Sequence, residues 1–373
     1  MIYLDSAATS LLKPKSVEAA MIRAMATMAS PGRGAHKPAM LAADTALDCR
    51  QAVSRLFGMN DPEKVIFTLN ATHALNIAIY SLVRKGDRVV ISGYEHNAVT
   101  KPLHAIGARV AVASSPLFDP EAALEAFERR LLGAKAAVCC HVSNVFGYIL
   151  PLEEIASLCR YYGVPLIVDA SQSAGVLDIN FTKLGAEYMA MPGHKGLLGP
   201  QGTGVLLCRG NGEPLLHGGT GSNSAIPDMP DFLPDRLEAG THNITGIAGL
   251  LAGVRYVMRK TPSAILEHER RLCVLMADRL EKIPGVRVYR ADNPKLQSGV
   301  FSVTVNGISC EAIAEALGER EVAVRAGLHC APTAHRTAGT IETGTVRFSF
   351  SPFNTVADVE KASAIFASVI KKL

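Results

Sequence analysis

Asp169 closes the apolar run Pro165-Leu166-Ile167-Val168-Asp169, which reads as a buried strand ending on an acid. In open α/β sheets, ligands bind beyond the carboxyl ends of the strands. An ionised carboxylate there needs a charged or hydrogen-bonded partner. A protonated ring nitrogen of a ligand would serve. So would the cap of the next helix, or a metal, and this run alone leaves all three open. Twenty-six residues further on stands Lys195, in Met191-Pro192-Gly193-His194-Lys195-Gly196. Burial readily shifts a lysine's pKa and frees an amine that can form a Schiff base. Alone, such a glycine-flanked string is more often a surface turn. Together the two residues suit an electron-sink cofactor, which needs a lysine for an imine and an acid for a ring nitrogen.

Other residues could serve such a site. Asn70-Ala71-Thr72-His73 follows the apolar run Val65–Phe67 and opens a helical pattern. Helix N-termini bind phosphate through free N–H groups and the dipole, and Thr72 adds a hydroxyl. A plain cap is the simpler reading. His96, in Tyr94-Glu95-His96-Asn97, has a flat ring able to stack and relay protons, though a lone loop histidine is usually solvated. Cys330 stands in Val324-Arg325-Ala326-Gly327-Leu328-His329-Cys330-Ala331-Pro332. Arg325 and His329 beside it would favour a thiolate, whereas a buried structural cysteine is the ordinary alternative. Arg347 carries the planar fork that binds carboxylates bidentately, or is an ordinary strand arginine.

The elements that must position these residues alternate between helix and strand. Val17, Ala20, Met21, Ala24, Met25 and Met28 recur at helical spacing, as do Cys49, Ala52, Val53, Leu56 and Phe57. Ile155, Leu158, Cys159 and Tyr162 make a third stripe. Between the helices lie short apolar runs at Val65–Phe67, Arg88–Ser92, Ala136–Val142, Pro165–Val168 and Gly204–Cys208. Several are nearly continuous in apolar residues, which predicts a mostly parallel sheet with helices on both faces. Gly210 to Pro234 is rich in Gly, Pro, Ser and Asn and reads as a long irregular segment. A helix over Ile244–Met258 follows. Beyond about residue 260 the pattern changes to a smaller α+β body: helix Ile265–Ile283, strands Val286–Tyr289 and Gly299–Val305, helix Cys310–Leu317, strand Thr345–Phe350 and helix Val356–Ile370.

Composition narrows the function. A chain of 373 residues suggests two or three domains and a large core. Lys+Arg minus Asp+Glu is 38 − 34 = +4, spread along the chain, so no nucleic-acid footprint is expected. No 18-residue apolar run and no secretory signal pattern are visible, which makes a cytoplasmic, reducing location the expectation. The eight cysteines form no CxxC pair, so no metal site is expected. No GxGxxG opens a helix after a strand, which weakens a nucleotide-binding Rossmann reading.

Nearly the whole chain, from Tyr3-Leu4-Asp5-Ser6-Ala7-Ala8-Thr9 to Arg347, resembles the class V, fold-type I pyridoxal-phosphate (PLP) enzymes. Within them it is most similar to cysteine desulfurases and selenocysteine lyases of the short-loop subgroup. The resemblance implies an α/β fold with a large PLP-binding domain over residues 15–260, built on a mostly parallel seven-stranded sheet. Residues 1–14 and 261–373 would form a smaller α+β C-terminal domain carrying the catalytic cysteine loop. Lys195 matches the lysine that forms the imine with PLP, and Asp169 the acid on the pyridine nitrogen. Gln172 and Asn144 match polar groups near the phenolic oxygen, and His96 the imidazole stacked on the ring. Ala71, Thr72 and His194 match the phosphate site. Thr241, in Glu238-Ala239-Gly240-Thr241-His242-Asn243, matches a residue reaching the partner subunit's phosphate, which implies a homodimer. Where the subgroup has Ser, this chain has Pro192, which donates no hydrogen bond.

The same resemblance gives Cys330 the catalytic thiol and Arg347 the substrate carboxylate. Arg325 is expected beside the substrate too. Arg33 and His36, in Gly32-Arg33-Gly34-Ala35-His36, resemble an entrance loop that touches it. The implied reaction converts L-cysteine to L-alanine, leaving a persulfide on Cys330 for a sulfur-acceptor or iron–sulfur scaffold protein. Selenocysteine lyase, another class V reaction (aminotransferase or epimerase) and a non-catalytic sulfur-delivery protein are the alternatives.

Overall fold

The computed structural model describes residues 1–31 and 34–373. Its strands run β1 (Ile2–Tyr3), β2 (Val65–Thr68), β3 (Arg88–Ser92), β4 (Arg109–Ala113), β5 (Ala136–Cys140), β6 (Leu166–Asp169), β7 (Tyr188–Pro192), β8 (Gly204–Cys208), β9 (Val286–Tyr289), β10 (Val300–Val305), β11 (Val322–Ala323), β12 (Arg325–Gly327) and β13 (Thr345–Ser349). The helices are α1 (Lys15–Thr27), α2 (Lys37–Leu56), α3 (Ala71–Leu82), α4 (Asn97–Ile106), α5 (Pro120–Leu131), α6 (Leu152–Tyr161), α7 (Phe181–Leu184), α8 (Ile244–Lys260), α9 (Pro262–Leu280), α10 (Cys310–Gly318), α11 (Pro332–Ala338) and α12 (Val356–Ile370).

The large sheet has seven strands in the order β2-β8-β7-β6-β5-β3-β4. Only β8 runs against its neighbours; β2 and β7 both pair antiparallel with it and so point the same way as β3–β6. The carboxyl ends of β2, β3, β5, β6 and β7 therefore share one edge. Strands β5 to β8 are buried at every position. Their residues alternate between two cores, as a pleated strand requires. Cys139, Val168 and Leu207 face the core with Phe57 and Phe127, while Val138, Ile167 and Leu206 face Leu75 and Ile79. That two-sided burial explains the near-continuous apolar runs.

The C-terminal body is an antiparallel sheet, β12-β13-β10-β9, with its own core of Phe301, Phe348, Phe366, Leu272 and Met276. The N-terminus joins this core: Ile2 and Leu4 pack in it, β1 pairs parallel with β11, and Asp5 bridges Ser349. Gly210–Pro234 contains no helix or strand, in line with its composition.

Glu269 on α9 is 7% exposed, and burial pushes its acid from 4.5 up to about 8. The fold thus prefers the neutral acid. The stability this gives is full below about pH 4.5 and is lost as the pH rises toward 8. Gln cannot ionise, so E269Q should show a smaller fall in Tm between about pH 5 and pH 8 than the wild type. Parallel Tm curves for the two proteins would overturn the assignment.

Candidate active site

The shared strand edge opens on a cavity of about 200 Å³ lined by Ala71, Thr72, His96, Asn144, Asp169, Gln172, His194 and Lys195. These are eight of the residues singled out from sequence, and each follows or ends a strand of the large sheet. Thr72 follows β2, His96 follows β3, Asn144 follows β5, Asp169 ends β6 and Lys195 follows β7.

Asp169 is buried, and its Oδ1 accepts from the Ser171 N–H at 2.9 Å. Lys195 sits in the turn after β7, where no carboxylate among the described residues pairs with it directly. Burial lowers its amine to about 8; Asp169 opposes that shift, and Arg347 and Arg325 add to it. The turn is pressed against the Gln172–Gly175 turn. A Cβ at Gly196 would lie 2.4 Å from the Ala174 carbonyl, and one at Gly175, at φ +82°, 2.4 Å from the Gly196 carbonyl. Glycine at both positions allows this approach and fixes where the lysine emerges.

His96 caps α4, its Nδ1 accepting from Ala98 N–H at 3.0 Å. The ring is thus the Nε2–H tautomer, and burial lowers its pKa. His194 Nδ1 lies 3.0 Å from the Thr9 hydroxyl, and burial beside Lys195 and Lys13 lowers the ring to about 4. Gln172 Nε2 donates to the Ala7 carbonyl at 3.0 Å. At the start of α3, Asn70 caps the His73 N–H at 2.9 Å, which leaves the Ala71 and Thr72 amides at the helix N-terminus for a ligand. The buried Oδ1 of Asn144 has no partner.

This donor set fits pyridoxal phosphate. The helix N-terminus with Thr72 suits the phosphate, a buried carboxylate suits a cationic ring nitrogen, a half-buried amine of lowered pKa suits an aldehyde, and an orphaned amide oxygen awaits a polar neighbour. Pro192 also lines the cavity and brings no donor to it.

Arg347, Arg325 and Cys330 do not line the cavity itself, but Arg347 and the Cys330 loop are both hydrogen-bonded to its Asn144. Arg347 is 2% exposed; its Nη2 pairs with Asp5 Oδ1 at 2.6 Å and its Nη1 donates to the Asn144 carbonyl at 3.0 Å. Arg325 is exposed, directly opposite Arg347 in the β12–β13 register. Cys330 is exposed, and the other seven cysteines are buried. Its loop is tied to the large sheet twice: the Cys330 carbonyl accepts from Asn97 N–H at 2.7 Å, and the His329 carbonyl accepts from Asn144 Nδ2 at 2.9 Å. His329 and Cys330 both adopt left-handed backbone, φ 50° and 55°. Two consecutive non-glycine residues there carry strain that these ties must hold.

One sequence expectation changes. His329 supplies no charge to the thiol: it is 6% exposed, its ring faces the Arg325 carbonyl and His335, and burial pushes it down to about 3. Thr241 is exposed and lines a different pocket, with Phe67 and His73. Its segment is held by Glu238, which pairs with Arg50 at 2.6 Å and accepts from Phe67 N–H at 2.6 Å. His36 is an exposed cap of α2, accepting from Ala39 N–H. Arg33 lies outside the described residues. Sequence reasoning assigned no role to Asp5; its only local signal is an acid just after an apolar strand.

Two chemical labelling results follow. In the cofactor-free protein, the amine of Lys195 should be half-reactive near pH 8, and D169N should lower that midpoint, because Asp169 favours the cation. Competitive acylation read by mass spectrometry measures both, and an unmoved midpoint in D169N would refute the coupling. Iodoacetamide should alkylate Cys330 well before any other cysteine of the native protein, and equal labelling of a second thiol would contradict this burial pattern.

The sequence and the fold have counterparts among known proteins. The family described as aminotransferase class-V matches residues 2–362. A probable cysteine desulfurase of Pyrococcus abyssi is 31% identical, over 100% of this chain and 95% of its own. Another, of Methanothermobacter thermautotrophicus, is 32% identical over 96% of this chain and 92% of its own. The apo structure of a cysteine desulfurase from Thermococcus onnurineus NA1 superposes with a TM-score of 0.90 at 32% identity, covering 100% of this chain and 95% of that one. A cysteine desulfurase of Escherichia coli gives a TM-score of 0.86 at 25% identity, covering 100% and 95%. The α/β architecture and the match along its length place the chain in the class-V aminotransferase family.

Proposed function

We propose that the chain is a PLP-dependent cysteine desulfurase. One observation carries the reading: a cavity holding Lys195 and Asp169, with an exposed Cys330 on a loop tied to that cavity's Asn144. Its full-length similarity to proteins named cysteine desulfurase supports it. When bound, PLP supplies an aldehyde and a ring that takes up the electron pair of a broken Cα–H bond.

The chain's own residues do the rest. Thr72, the Ala71 amide and His194 hold the phosphate, and Asp169 keeps a proton on the ring nitrogen by offering a carboxylate to it. The flat His96 ring covers one face, and Gln172 and Asn144 orient the phenolic oxygen. Lys195, with an amine near 8, is partly neutral at cellular pH, so it would bond the aldehyde and, once the cysteine amine had displaced it, would be free to take the α-proton. Arg347 receives the substrate carboxylate, and Arg325 adds positive charge at the mouth. The family resemblance gives His36 and Arg33 contact with the substrate. The Cys330 thiolate attacks the substrate sulfur: the S–S bond forms as the C–S bond breaks, and Cβ takes a proton. L-cysteine and the Cys330 thiol thus become L-alanine and a Cys330 persulfide. An acceptor such as an iron–sulfur scaffold protein, or a thiol reductant, takes the sulfur.

The reading as a cysteine desulfurase implies a cytoplasmic site of action; the described helices include none long and apolar enough to cross a membrane. The N-terminal residues packed in the C-terminal core support a small domain of residues 1–14 and 261–373 beside a large one of 15–260. Exposed Ile22 and Met25 on α1, Met40, Leu41 and Leu47 on α2, and Thr241 outside its own cavity support a homodimer with Thr241 on the partner's phosphate.

The test is product analysis with L-cysteine. Wild type should give equimolar alanine and, with a thiol reductant, sulfide. C330A should keep the cofactor's absorbance yet lose at least about a hundredfold in sulfide release. K195A should lose the borohydride-reducible link to PLP. Undiminished sulfide from C330A, or a keto acid in place of alanine, would sink the reading.

A further inference from the structure

Arg347 and Arg325 stand directly opposite each other on β13 and β12. Directly opposed residues of antiparallel strands share a face, and like charges there repel. Among the described residues, Asp5 is the one carboxylate that pairs with Arg347, at 2.6 Å, and Arg325 makes no ion pair. Asp5 comes from the far end of the chain. It reaches this place because β1 pairs with β11 and Asp5 itself bridges Ser349, two residues from Arg347. Its backbone carbonyl also accepts from the Tyr3 hydroxyl at 3.2 Å, which stiffens the turn.

The guanidinium is held at two of its three nitrogens. Asp5 takes Nη2, the Asn144 carbonyl takes Nη1, and Nε is buried without a partner. A guanidinium has five N–H donors, so three remain, and their direction is fixed by the two that are used. A buried guanidinium lacking its carboxylate would be costly and free to rotate toward other acceptors.

We propose that Asp5 is a positioning residue for the substrate: it holds the Arg347 fork in the orientation that receives the α-carboxylate of L-cysteine. This rests on the reading of Arg347 as the carboxylate's partner. Asp5 touches neither the reacting sulfur nor the Cα–H bond. Its removal should therefore weaken ground-state and transition-state binding alike, raising KM with little change in kcat.

The test uses the PLP-loaded enzyme and the variants D5A, D5N and R347A. D5A should raise KM for L-cysteine about tenfold and leave kcat within about twofold. D5N, which keeps an acceptor oxygen but loses the charge, should move the same way by less, and it carries the test if D5A does not fold. Equilibrium binding of the product L-alanine should weaken in parallel, whereas L-alaninamide, which lacks the carboxylate, should bind wild type and variants alike. Equal weakening of both ligands, a fall in KM, or a loss confined to kcat would each overturn the role of Asp5. If R347A binds L-alanine as tightly as wild type, the underlying reading of Arg347 fails instead.

Discussion

Burying like charges together is the constraint from which the site's chemistry follows. At the edge of the large sheet, Lys195, Arg347 and Arg325 lie close enough to act on one another, and Asp169 and Asp5 oppose them. Burial is the larger cause of the lowered lysine pKa, but the two arginines push the same way and the two acids pull back. The balance leaves an amine near 8, neither locked as a cation nor stripped of its proton. Four of these groups also act on His96: burial lowers its pKa, as do Lys195, Arg347 and Arg325, and Asp169 raises it. Chemistry at Lys195 is thus set partly by residues of the C-terminal body.

That body is fastened to the sheet through the site itself. Asn144 gives its carbonyl to Arg347 and its amide N–H to the His329 carbonyl. Ser302 on β10 donates to the Val145 carbonyl at 2.7 Å, and Thr337 on α11 to the Gly93 carbonyl at 2.8 Å. Gly147, at φ +68°, lets the loop after β5 lie against the Val300 carbonyl, where a Cβ would be 1.9 Å away. The loop that carries the exposed thiol is therefore placed by tertiary contacts rather than by local preference. Its two left-handed residues run against that preference.

Much of this was legible in the residue pattern. Arg88–Ser92 and Gly204–Cys208 are strands with those limits, and the run to Asp169 ends at the cavity as an acid on a buried strand suggests. Other parts carried weaker signals. β4 has two exposed and two half-buried residues at the sheet's edge, so no clean apolar run marks it. β7 ends on a proline, and β1 and β11 have two residues each. The Asp5–Arg347 pair spans 342 residues, and no spacing rule links its members. The charge state of His329 is not set by its neighbours in sequence. Neighbours in sequence suggested a cation, but burial against His335 and a carbonyl decides the matter. Thr241 could be matched by its segment, yet nothing local says that it faces away from its own chain's cavity.

The eight cysteines divide sharply by their surroundings. Burial pushes Cys49, Cys159 and Cys273 up to about 12 and Cys310 to about 11, and raises Cys139, Cys140 and Cys208 as well. None of these can offer a thiolate at cellular pH. On the proposed reading, a sulfur atom loaded on Cys330 has no internal thiolate to hop to. The chain is then a single-berth carrier: it holds one sulfur at a time, and the only way off is outward.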